Sequence, residues 1–175
     1  PAGQPYKIAP WNYLGTETVS TYDSDVVDWV LISLRTDISN ASSMVYRTAG
    51  LLRKDGNVTL VAACPTLSTS QSYYVLVEHR THIGAASHVP VAIASNKITY
   101  DFTQQQSYIP SNAPGSGQLQ LGAIHCLFAG DCNKASFSEI NANDSSIWRL
   151  DNGKFARYFL TDYNLDGEVN ANDDT

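Results

Sequence analysis

Apolar residues recur along most of this chain in short runs that alternate every second position, the period of a pleated strand. "VVDWVLISLR" (26–35) is apolar on both alternating faces, with Val27, Trp29 and Leu31 on one and Val26, Val30, Ile32 and Leu34 on the other. A strand apolar on both sides belongs in the middle of a sheet covered on both faces. "MVYRTAGLLR" (44–53) and "NVTLVAA" (57–63) flank Lys54-Asp55-Gly56, and an Asp-Gly turn between apolar runs marks a hairpin. "QSYYVLVEHR" (71–80) alternates cleanly, Tyr73, Val75 and Val77 against Tyr74, Leu76 and Glu78. "VPVAIAS" and "KITYDFT" follow at short spacing. With no helical period before residue 140, the pattern predicts a mainly β chain, an immunoglobulin-like β-sandwich over residues 1–102. A polar, Pro/Gly/Ser-rich linker spans 103–120, and a small segment of loops and short helices occupies 121–175.

The first ten residues, "PAGQPYKIAP", carry Pro1, Pro5 and Pro10, which cannot donate to a ladder and are tolerated only at edges or strand ends. The expectation is an arm that lays Tyr6 and Ile8 along the edge of another subunit, with Trp11 as an interface anchor. Deleting residues 1–10 would then leave the sandwich folded. Opening on Pro1, without Met or signal peptide, the chain reads as a processed piece.

Composition narrows the class. At 175 residues with 43% hydrophobic, the chain can bury one sizeable core. A net charge of −6 argues against a nucleic-acid or anionic-membrane partner, and no run approaches the ~18 apolar residues of a membrane span. Only 16% of residues are charged, and the Ser, Thr, Asn, Val and Tyr content has an extracellular character. Cys64, Cys126 and Cys132 cannot all pair within one chain; Cys126 and Cys132 are close enough to staple one loop, leaving Cys64 as a buried thiol. Asn40, Asn57 and Asn143 each open a glycan acceptor triplet.

Acidic residues, sparse elsewhere, crowd "DYNLDGEVNAND" (162–173). Calcium takes six to eight oxygens from a flexible loop, supplied in an EF-hand from positions 1, 3, 5, 7 (a carbonyl), 9 and 12, with Gly at 6. Counting from the first acid gives Asp162, Asn164, Asp166, the Glu168 carbonyl, Asn170 and Asp173 as ligands, Gly167 for the turn and Val169 as the core tether. Residues 130–144, "GDCNKASFSEINAND", repeat the pattern with Asp131, Asn133, Asn141 and Asp144, but are two residues longer and carry Ala135 and Ser136 in place of the fifth-position acid and the glycine. That copy is expected to be a weak second site or none. "SSIWRL" and "KFARYFL" between the loops predict two short helices broken at Asn152-Gly153, the first capped by Ser145.

Asp in the twelfth position is the choice of dockerin-type loops, and two such loops about thirty residues apart resemble a dockerin-like module. Taken in order, "VDWVLISLR", "AGLLRKDGNV", "YYVLVEHRTHIG", "YDFT" and "AGDCN…DYNLDGEVN" are similar to a conserved-order region of large secreted and cell-surface proteins of Bacteroidota. The resemblance implies an extracellular or cell-surface, calcium-bearing, non-catalytic module. The first loop departs from the pattern in lacking its Asp-Gly.

Enzyme motifs are not evident: there is no Gly-x-Ser-x-Gly, no His-Glu-x-x-His and no phosphate-cradling glycine loop. His79, His82 and His88 are loosely spaced for zinc, and Glu78 with Asp101 is the only carboxylate pair near strands. Trp11, Trp148, Tyr73, Tyr74 and Tyr100 could stack on sugars or pack a core. Three classes follow: a structural or adhesive, and fibrous, building block joining copies of itself or other surface proteins; a carbohydrate-binding module that takes polysaccharide for a secreted hydrolase; and a dockerin-type docking module.

Overall fold

The computed structural model describes residues 2–111, 117–134 and 139–174. Among them the chain is mainly β and its strands pair antiparallel, in keeping with a β-sandwich. The principal sheet holds β1 (Val26–Arg35), β2 (Met44–Arg53), β3 (Val58–Leu60), β4 (Ser72–Glu78) and β5 (Ala85–Ala86) in the order β3-β2-β1-β4-β5, with β6 (Val91–Ala92) also paired to β4. The apolar run 26–35 is thus central, as its two-faced pattern requires. The Asp55-Gly56 turn forms with Gly56 at φ +84 and an Arg53 N–H to Asn57 carbonyl bond of 2.8 Å.

Both faces of the sheet are covered. Trp29, Leu31, Ala49 and Leu51 form one cluster with Tyr6 and Trp11, and Tyr158 and Leu160 from near the C-terminus pack against it. Leu34, Tyr73 and Val75 form the other, under Tyr46, Leu67 and the 91–102 segment. The expected facing of 26–35 holds except at its start. A register shift between Val26 and Asp28 lets Val26 join the Trp29 cluster and leaves Val27 exposed, as one extra residue in a ladder does.

The N-terminal segment is no free arm. Gly3 bridges Thr18, Gln4 N–H reaches the Glu17 carbonyl at 3.1 Å, and the Tyr6 hydroxyl donates to the Trp29 carbonyl at 2.7 Å. Tyr6 is fully buried and meets Trp11 edge-on at 5.1 Å, so Trp11 is a core residue and not an interface anchor. Two apolar rings outweigh the prolines that suggested an arm, because burying each contributes about 2–3 kcal/mol.

Part of the 103–120 stretch joins local structure: Ser107 bridges Ser87, and β7 (Leu119–Leu121) pairs with β8 (Ile124–Cys126). The helix predicted at "SSIWRL" is α1 (Ala142–Asp151), but its cap is Asn141 and not Ser145. The second predicted helix, "KFARYFL", does not form. Ala156 has φ +66, and the 153–156 backbone pairs with the C-terminal loop through Gly153 N–H to Val169 O, Val169 N–H to Lys154 O and Ala156 N–H to Gly167 O. Among the described residues, no helix is long and apolar enough to cross a membrane.

Candidate metal centre

The repeat seen in the sequence is a repeat in space. Asp173 Oδ1 accepts from the N–H groups of Tyr163 (2.8 Å) and Asn164 (3.1 Å), and its Oδ2 accepts from Asn170 N–H at 2.9 Å. Asp144 does the same for the first copy, taking Cys132 N–H and Asn133 N–H at 2.9 and 3.0 Å and Asn141 N–H at 3.0 Å. Asn170 and Asn141 each cap the turn that follows, through Oδ1 to the N–H two residues on. The last Asp of each copy therefore closes its loop on itself. Cys132 and Tyr163, matched second positions, meet in one cluster with Val169 and Trp148, so Val169 is the core tether its position predicted.

Within the second loop, Gly167 adopts φ +87 and Leu165 φ +64, the sharp turn expected around position 6. Asn164 Oδ1 accepts from Asp166 N–H at 2.9 Å, and Asp166 Oδ1 from Glu168 N–H at 2.9 Å. Each of these oxygens keeps a further lone pair. Asp162 is the exception in the set. It is 1% exposed; its Oδ2 meets Arg80 Nη2 at 3.1 Å, while among the described residues Oδ1 has no hydrogen-bond partner. Burial raises its pKa, against the pull of the Arg80 guanidinium and with added repulsion from Asp173 and Asp166. Among the described residues no three His, Cys, Asp or Glu side chains converge as a metal-holding group; the donors here are mixed carboxylate, amide and carbonyl oxygens. That donor chemistry suits a hard cation, and an orphaned buried carboxylate oxygen is the point where one would bind.

Both loops are moored to the chain leaving β4, residues 79–83. His79 Nε2 lies 3.1 Å from Asp28 Oδ2, and Arg80 Nε lies 2.9 Å from the same oxygen. Arg80 also donates to the Phe159 carbonyl and sits 5.5 Å from the Tyr158 ring. Thr81 and Ile83 bond Gly130 N–H and the Phe128 carbonyl through their backbones, at 3.0 and 2.9 Å. Sequence reasoning misses Arg80 and Lys134 as functional residues. The available signal is Asp28, an acid inside an apolar central strand, which demands a buried partner.

The remaining candidates fall elsewhere. His79 and His82 touch, Nδ1 to Nδ1 at 3.0 Å, whereas His88 is exposed and its N–H meets the Tyr100 hydroxyl. Thr81, His79 and Asp28 align like a catalytic relay, with Thr81 Oγ1 3.1 Å from His79 Nδ1, but Thr81 is fully buried. Glu78 pairs with Arg47 at 2.9 Å, and Asp101 accepts from Thr103 N–H in its own turn. All three cysteines are free, which removes the expected Cys126–Cys132 staple; the Cys132 thiol is buried and donates to the Asp144 carbonyl, while Cys64, expected to be buried, is exposed. Trp148 is 9% exposed and its Nε1 donates to the Asn170 carbonyl, so it too packs inward and does not present itself to a ligand. Asn40, Asn57 and Asn143 are all exposed.

No family model, curated protein or solved structure matches the chain. What the fold and site define is a mainly β chain with a repeated pair of Asp-closed loops at its C-terminal end.

Proposed function

We propose that the chain is a non-catalytic, calcium-stabilised module whose second loop binds one ion, and that this ion fastens the C-terminal segment to the sheet. The observation that carries this is Asp162: buried, one oxygen on Arg80, the other without a partner among the described residues, at the first position of an oxygen-rich loop. Asp162, Asn164 and Asp166 would supply side-chain oxygens and Glu168 its carbonyl, with Asp173 closing the loop. When bound, the ion supplies the positive charge that clustered acids otherwise lack. Through Arg80 and Asp28 that charge reaches the central strand. Modules outside the cell, where calcium is millimolar, manage with affinities of about 10⁻⁴–10⁻³ M, which agrees with the extracellular or cell-surface setting that the family resemblance implies. A structural or adhesive building block is the role we infer; burial of Trp11 and Trp148 weighs against a sugar-stacking face built on them.

Thermal melting with calcium and with chelator tests the reading. At a hundredfold excess over Kd, calcium adds about 2.7 kcal/mol, a Tm rise of about 5–10 °C for a chain of this size. Asp162→Asn should abolish that rise. Superimposable curves for the unaltered chain would refute calcium binding.

A further inference from the structure

The two loops differ most where they otherwise match. Asp131 and Asp162 hold the same first position, and each is 1% exposed. Lys134 and Leu165 hold the same fourth position, both with left-handed backbone, φ +47 and +64. From that shared geometry the Lys134 ammonium turns back to Asp131 Oδ2 at 3.4 Å, donates to the His82 carbonyl at 2.6 Å and lies 5.8 Å from the Trp11 ring centroid. Leu165 offers no charge, and in the second loop Asp162 Oδ1 has no partner among the described residues.

We propose that Lys134 is the built-in cation of the first loop, its ammonium standing in for a divalent ion, so that the chain takes up one calcium per molecule and not two. The inference rests on the calcium reading of the second loop. A buried carboxylate needs partners for both of its oxygens. Lys134 meets both oxygens of Asp131, its backbone N–H on Oδ1 at 3.2 Å and its ammonium on Oδ2, whereas Arg80 meets only Oδ2 of Asp162 and leaves Oδ1 for an ion from solution. Carboxylate, carbonyl and aromatic face are the groups an ammonium prefers. Rooted in the loop itself at the fourth position, this ammonium occupies the space beside Asp131 that a metal would take, whereas Arg80 reaches Asp162 from outside its loop, from the segment after β4. The first copy can therefore keep the Asp144 closure and Asn141 cap without the fifth-position acid and the glycine.

Calorimetric calcium titration of the full chain, with melts in chelator, tests this. The unaltered chain should bind one calcium, Asp162→Asn none, and the double variant Asp131→Asn with Lys134→Met still one. Lys134→Met alone should melt about 6–20 °C lower, because it strands the Asp131 carboxylate. Adding Asp131→Asn should restore at least half of that loss. A single variant that fails to fold while the double one folds supports the proposal equally. Two calcium ions in the unaltered chain, loss of a site in the double variant, or no recovery in it would each overturn the proposal. If the unaltered chain binds no calcium, the second-loop reading fails, while the melting pair still decides the part played by Lys134.

Discussion

Gly167 and Trp11 show how differently single residues report from sequence. Gly167 stands at φ +87 with nothing within 4 Å of where a Cβ would lie, so its demand is purely conformational. Gly167→Ala should destabilise by about 1 kcal/mol, the penalty of a left-handed non-glycine residue, seen as a small shift in the urea midpoint. The loop motif announces such a glycine, because its spacing is set within twelve neighbouring residues. Trp11 carries no such local signal. Whether an aromatic faces the core or a partner depends on which surface its segment meets, and here Tyr6 and Lys134 enclose it. Trp11→Ala is expected to lower stability by about 3–5 kcal/mol.

Elements are legible where their period is local. The central strand, the Asp-Gly hairpin and the first short helix all stand where apolar spacing places them. The second predicted helix is different, because 153–156 finds partners for its backbone in the C-terminal loop, and such pairing leaves no trace in the segment's own sequence. The expectation of a free N-terminal arm fails for a similar reason: Gly3 and Gln4 pair with residues 17–18. Removing residues 1–10 takes Tyr6 out of the principal core, so the truncated chain should lose cooperative unfolding in a melt. Arg80 is the element-scale keystone, touching Asp28 in β1 and Asp162 in the second loop. Arg80→Met strands two buried carboxylates and should weaken the fold by about 3–5 kcal/mol, and it should loosen residues 158–163 before the sheet melts.

At the scale of the whole molecule, the strip from His79 to Ile83 decides how sheet and loops behave as one body. Burial holds His79 below the usual histidine range, against the attraction of Asp28. Burial likewise, with repulsion from His79, Lys134 and Arg80, pushes His82 down to about 3. The folded chain therefore refuses protons that the unfolded chain accepts below about pH 6.5, and stability is full above that value and falls with acid. Between pH 7 and pH 5 His82 alone should cost about 2 kcal/mol, and His79 adds a loss of the same sign, measured as a falling urea midpoint; a flat profile would contradict the buried pair.

The central claim is that one ion in the 162–173 loop fastens the C-terminal segment to the sheet, and amide hydrogen exchange with and without calcium tests it most directly. Calcium should slow exchange at Val169 and Ala156, which pair the loop with 153–156, and along 162–173, with a smaller slowing around Arg80. The β1–β2 ladder should change little. Exchange at 153–174 that is identical with calcium and with chelator would contradict the account.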